Sequence, residues 1–357
     1  MKKFYVVLFA AMASVLGLNA QQLPDPHFED WTDVFNKDIQ LADWHGSNVS
    51  QLGFKFTFLY QKPGRTGFCA YVADKEIGAP KLGLVEVGPG YFGLGTAWQY
   101  LKGLSTNSAT AGTVGGIAWK WRPDSMSVWI KRTGVNTDKE DFHLLFYSWK
   151  GTSKGTQYKN KKGTSTTIER INEESDIRQA TDGNEFGTEE KATQISEGWY
   201  RARAEYNEWT RIVVPIYYFN DATPTMCNVI FSAGNYPAFR ANDGLYDGNA
   251  LWVDDVELIY SSKIERLVVN GEAVPNFDGN KTSYTVRVKS DDVTIAAYRG
   301  AGSLTNIKGK TTKLRGRKLD DKEMTIQAGQ INGAPWVITV KAEDGSSKTS
   351  YRLKIVK

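Results

Sequence analysis

Cysteine is nearly absent: the chain has two in 357 residues, Cys69 and Cys227. That excludes the disulfide framework by which many small exported domains hold together. A single bridge between the two stays open beside the reading as two buried thiols, because spacing along the chain says nothing about proximity. Histidine is equally scarce, and His27, His45 and His143 lack the spacing of a zinc site. Helical periodicity is close to absent. The glycine-rich pieces at 90–93 and 112–116 have no strand-then-helix context to cradle a phosphate, and no Ser or Cys sits in a nucleophile motif. Beyond residue 18 no apolar run is long enough to cross a bilayer as a helix.

Aromatics and glycine are plentiful: 12% aromatic residues with 11 Trp, and 34 Gly. Such a composition suits short strands joined by tight turns, with aromatic surface left for binding. The first twenty residues read as an export signal. Lys2 and Lys3 precede an apolar run over 4–18, and Leu18-Asn19-Ala20 has the small-residue look of a cleavage site. No Cys follows that run, so the expected destination is the periplasm, the cell surface or the medium, with no lipid anchor on a new N-terminal Cys. Charge then divides the rest. Residues 21–261 hold 24 Lys+Arg against 30 Asp+Glu, a net of −6, whereas residues 262–357 hold 18 against 10, a net of +8. A step of that size predicts a domain boundary near Ser261-Ser262.

Strand-like segments recur through the first part: 54–61, 67–74, 125–132, 141–149, 209–219, 227–234 and 250–260. In SMSVWIKR at 125–132, Met126, Val128 and Ile130 share one face and Ser127, Trp129 and Lys131 the other. This is the alternation of an antiparallel sheet with one wet face. The expected fold is all-β: a jelly-roll β-sandwich over 21–261, then a small immunoglobulin-like β-sandwich over 262–357. In the second part Asn270-Gly271 and the AEDGSSK stretch at 342–348 are hairpin signals, and Trp336, Ile338 and Val340 share an inward parity. The polar stretch 150–198 breaks the pattern; it reads as an insertion beside a binding face, or as carrying one short helix around 169–180.

Two resemblances follow from the residues. FEDW at 28–31, DWHGSN at 43–48, GYFGLGTAW at 90–98, WKWRPDSMSVWIKR at 119–132, WTRIVVPIYY at 209–218 and LWVDDVELIY at 251–260 occur in an order that resembles the putative carbohydrate metabolism domain of exported Bacteroidetes proteins. That resemblance implies a jelly-roll akin to carbohydrate-binding modules. The second part, through 267–286 and 338–355, resembles the cadherin-like or immunoglobulin-like modules appended to many exported bacterial proteins, and implies no chemistry.

Site candidates divide into carboxylates and aromatics. Glu29 opens the first domain, and Asp254 and Asp255 enter its last strand; first and last strands of a sandwich often lie together. Many carbohydrate-binding jelly-rolls hold a structural Ca²⁺ with an early Glu and a late Asp, so Glu29, Asp254 and Asp255 are the expected metal ligands, against the plainer reading as solvated turn caps. As neighbours on a strand, Asp254 and Asp255 should point to opposite faces unless a bulge intervenes, which argues against their acting as a glycosidase pair. Trp44, Tyr91, Trp98, Tyr100, Trp121 and Trp129 are the candidate sugar platforms, a flat ring matching the C–H face of a pyranose; core packing is the alternative for each. The basic run KGKTTKLRGRK at 308–318 reads as a solvated loop, and export argues against nucleic acid. The function expected is exported glycan binding to an oligosaccharide or polysaccharide. The alternatives are a glycoside hydrolase or lyase and a structural or adhesion protein. Oligomeric state is not legible.

Overall fold

A computed structural model describes residues 22–357 apart from 52–53, 80–83, 102–108, 135–140, 152–157, 161–167, 171–176, 181–186, 189–192, 221, 236–244, 290–292, 300–302, 309–323 and 327–334. The basic run at 308–318 therefore lies almost wholly outside the described residues, as does the leader-like start. Among the described residues every regular element is a strand. The chain divides into two compact units, Gln22–Ser261 and the residues from Ser262 onward.

Alternation of apolar and polar residues builds the first unit as a sandwich. One sheet runs in the order Tyr217–Tyr218, Thr193–Ala202, Phe142–Lys150, Met226–Ser232, Tyr91–Gly93, His45–Gly46, with Ile117–Ala118 also paired to Met226–Ser232. The other runs Tyr206–Pro215, Ser125–Thr133, Ala250–Ile259, Phe68–Ala73, Leu59–Pro63. Pairing within both is antiparallel. Consecutive strands from Ser125 to Ile259 repeatedly change sheet, the winding expected of a jelly-roll. Met126, Val128, Ile130, Leu251, Val253, Ala70 and Val72 turn inward from the five-stranded sheet and are buried. At one end of the core Phe28, Trp44, Phe92 and Phe231 pack ring against ring at 5.3–5.8 Å. Each ring so buried contributes on the order of 1.5–3 kcal/mol of apolar transfer.

The strand Phe142–Lys150 is buried along nearly its whole length because the seven-stranded sheet is covered on its outer side too. The cover is a small sheet in the order Thr96–Leu101, Ala109–Val114, Ile177–Ala180, Gly187–Thr188. Tyr91 ties the layers together: its hydroxyl donates to Gly112 O at 2.9 Å and accepts from Gly112 N at 2.7 Å. Of the two readings of the polar stretch, this goes against the short helix around 169–180. Ile168–Arg170 and Ile177–Ala180 are strands, and Gly112 pairs with Ala180. Partners across the sheet offered the polar segment a ladder, which outweighed weak helical propensity.

The second unit has two sheets of four strands, Glu272–Ala273, Ile264–Val269, Val293–Arg299, Met324–Ile326 and Ser283–Arg287, Lys348–Val356, Trp336–Ala342, Ser303–Lys308. Val269 pairs with Glu272 around Asn270-Gly271, both at positive φ (53° and 78°), the geometry of a two-residue hairpin turn. Trp336, Ile338 and Val340 point into a core with Leu267, Ile295, Tyr351 and Leu353.

Candidate functional site: the outer face of the five-stranded sheet

The wet face of the five-stranded sheet carries the residues of opposite parity to the core. Register places Tyr60 opposite Tyr71, Tyr71 opposite Trp252, and Trp252 opposite Lys131. Trp209 completes the line on the edge strand, its ring 5.4 Å from the Lys131 ammonium. Tyr60 and Tyr71 lie 6.1 Å apart between ring centres, and Tyr71 meets Trp252 edge-on at 4.7 Å. All four rings are half-buried. Burial, and after it the neighbouring Tyr60, raises the Tyr71 phenol above its ordinary range, so it stays a neutral donor at any physiological pH. The line crosses five strands, about 19 Å at ~4.8 Å per strand step.

Beside this row Trp129 lies under the Arg65 guanidinium, 3.8 Å from its centroid. Arg65 comes from the tight turn at 64–67, where Gly64 N donates to Gly67 O at 3.0 Å. That turn gathers the three expected metal ligands. Glu29 Oε1 accepts from Phe68 N at 3.0 Å. Asp254, fully buried, accepts from Arg65 N at 2.7 Å through Oδ2 and from Asp255 N at 2.8 Å through Oδ1. Asp255 pairs with Arg65 Nη1 and with His27 Nδ1, the latter at 2.7 Å.

The opposite-face expectation for Asp254 and Asp255 is therefore corrected. Asp255 has φ of +45°, and the ladder slips between Ser127 and Trp129 where they face Glu257 and Asp254. The bulge turns both carboxylates onto one arginine. The N-terminal segment locks it there: Val256 N donates to Pro26 O at 2.8 Å, and the Gln22 amide brackets Leu258 N and O at 2.7 and 2.9 Å.

Negative charge is in surplus at this joint. Burial, with Asp255 adding to it, raises the Asp254 carboxyl to about 6 against the backbone donors that oppose it. Cys69 below it is pushed up to about 12, by burial first and then by Asp254. Among the described residues no three His, Cys, Asp or Glu side chains gather closely enough to hold a metal by themselves. Both cysteines are buried thiols, Cys69 on one sheet and Cys227 on the other, and burial raises Cys227 as well.

The expected platforms fare unevenly. Trp44 (1% exposed) and Tyr91 (0%) are core, which removes them as sugar platforms: Trp44 stands in the Phe28–Phe92–Phe231 cluster with its indole N–H on Pro24 O, and Tyr91 joins two sheets. Trp121 is half-buried with Lys120 5.0 Å from its ring. Trp129 is half-buried under Arg65. Trp98 and Tyr100 stand on the cover-sheet strand Thr96–Leu101, but their side chains lie outside the described residues. Sequence reasoning missed Tyr60, Tyr71, Trp209 and Trp252. The signal was available for two of them: Tyr71 stands between buried Ala70 and Val72, and Trp252 between buried Leu251 and Val253; Trp209, between Glu208 and Thr210, carries no such mark.

Residues 264–357 match the family described as the cadherin-like beta sandwich domain. The second unit is a cadherin-like β-sandwich. No curated protein matches the chain. Among solved structures it is similar to a putative glycoside hydrolase from Bacteroides thetaiotaomicron, at 15% identity and a TM-score of 0.41, over 66% of this chain and 70% of that one. It is also similar to the adhesin domain of Epf from Streptococcus pyogenes, at 7% identity and a TM-score of 0.24, over 76% and 79%. Likenesses this slight carry no weight for the site.

Proposed function

We propose that this is an exported glycan-binding protein whose first unit holds an oligosaccharide across the outer face of the five-stranded sheet. The observation that carries it is the row Tyr60–Tyr71–Trp252–Lys131–Trp209, which spans every strand of that sheet. A fixed sheet presents this aromatic surface at little entropic cost to the C–H groups of sugars along a chain. The Tyr71 hydroxyl, the indole N–H groups of Trp209 and Trp252, and Lys62 and Lys131 supply rim hydrogen bonds that set orientation. The cadherin-like unit carries the binding unit without supplying ligand contacts of its own.

We further propose a structural calcium ion at the turn. Gly64 and Gly67 let both carboxylates close in on the turn: a Cβ on Gly67 would collide with the Glu29 carboxylate, and one on Gly64 would stand 2.7 Å from Asp254 Oδ2. Glu29 and Asp254 would hold the ion, with backbone carbonyls of the turn completing the oxygen set a hard cation requires. Asp255 is engaged by Arg65 and His27 and serves as their anchor instead. Bound there, the ion would offset negative charge and fasten the first unit's opening segment and last strand to one hairpin.

The test of binding is a panel of soluble polysaccharides in affinity electrophoresis with the wild type and Tyr71→Ala. Retardation by at least one glycan, lost in the variant, supports the reading. Equal retardation of both, or none on any glycan, sinks it.

A further inference from the structure

We infer that the glycan this row accepts is anionic, bearing sugar carboxylates or sulfate esters; the inference rests on the binding reading above and narrows it. Cations stand over the rings rather than beside acids. Lys62 Nζ lies 5.5 Å from the Tyr71 centroid, Lys131 Nζ 5.4 Å from that of Trp209, and Lys75 Nζ 5.4 Å from that of Tyr60. Lys75 is committed locally, donating to Tyr60 Oη at 2.7 Å and to Thr57 O at 3.4 Å. Lys62 and Lys131 have no ion-pair partner among the described residues.

The acids of the same face are already engaged. Asp254 lies buried against the turn, Asp255 holds Arg65 and His27, and Glu257 pairs with Arg211 at 3.4 Å. Glu208 neighbours Trp209 but has the opposite strand parity. The face is thus locally cationic on a domain whose sequence carries a net of −6.

That arrangement discriminates between ligands. An ammonium held over a ring by its quadrupole occupies the surface a sugar needs. A neutral pyranose has to displace it and offers only hydroxyls in return. A uronate or sulfated sugar packs its C–H face on the ring while its anionic group, projecting from the ring edge, receives the displaced ammonium in a charge-assisted hydrogen bond. Lys131, opposite Trp252 and beside Trp209, can do this between two stacking rings; Lys62 can do it at Tyr71.

Calorimetric titration of the full chain with polygalacturonate, dextran sulfate, xylan and dextran, at low and high ionic strength, tests this. We expect binding to polygalacturonate, dextran sulfate or both, weakened by salt, and the member retained tells carboxylate from sulfate. Lys62→Gln and Lys131→Gln should each lower affinity about two- to fivefold, the range of partly exposed charge pairs, while Trp252→Ala should abolish it. Preference for xylan or dextran with both lysine variants unaffected overturns the anionic specificity and leaves the aromatic platform standing. Polyanion binding that survives Trp252→Ala is diffuse charge attraction and overturns both readings, as does the absence of binding to all four.

Discussion

Replacing Gly67 by alanine perturbs the joint at one atom. Gly67 has φ of +61°, a conformation that costs an L-residue ~1–2 kcal/mol whatever surrounds it. The added Cβ would also fall inside the van der Waals surface of the Glu29 carboxylate. Glu29 must then swing away and give up the Phe68 N–H, a hydrogen bond to a charged group worth about 1 kcal/mol once its exposure is discounted. Gly67→Ala should therefore destabilise the first unit by about 2–3 kcal/mol. In a Glu29→Ala background only the backbone cost remains, so the double-mutant cycle should return a coupling near 1 kcal/mol. Denaturant unfolding followed by tryptophan fluorescence isolates this unit, because Trp336 is the sole Trp beyond residue 261. Strict additivity of the two substitutions, or a neutral Gly67→Ala, would refute the account of the joint.

Other outcomes follow from the same structure. Burial, and after it Arg201, lowers His143 to about 3, so the folded state stays unprotonated where the unfolded chain titrates near 6.5. Stability should fall as pH drops from 6.5 towards 3, by up to roughly 4–5 kcal/mol from this group, and His143→Gln should flatten that part of a stability-versus-pH curve. With Cys69 raised to about 12 and Cys227 raised too, neither thiol should react with iodoacetamide in the native protein at pH 8, and both should react in denaturant. Calcium should raise the unfolding temperature of the wild type and not that of Glu29→Ala, as read by scanning calorimetry with and without chelator. Residues 262–357 expressed alone should give a β-type circular dichroism spectrum, and Trp336→Ala should cost them about 3–5 kcal/mol, enough to unfold so small a core.

Where a segment had to satisfy one buried face, its sequence was readable. The alternation in 125–132, the Asn270-Gly271 turn and the inward parity of Trp336 all appear as strands, turn and core should. What escaped depends on contacts between distant residues. Nothing local marks Trp44 or Tyr91 as core, since their burial comes from Phe28, Phe231 and Gly112, far away along the chain. The bulge at Asp255 is set by a turn 190 residues earlier and cannot be read from WVDDVELIY. Strand pairing at 177–180 likewise needed a partner at 112–114. The aromatic row was missed for a different reason: parity marks Tyr71 and Trp252 as outward rings, but only register and packing align them with Tyr60 and Trp209.

Exposed aromatics also occur on another edge, at Tyr217 and Phe219, 69% and 59% exposed, which makes a direct comparison possible. A glycan array probed in parallel with the wild type, Trp209→Ala/Trp252→Ala and Tyr217→Ala/Phe219→Ala decides whether the sheet face is the binding surface. If it is, the first double variant loses every glycan signal of the wild type while the second retains them all. Retention by the first with loss by the second would contradict it.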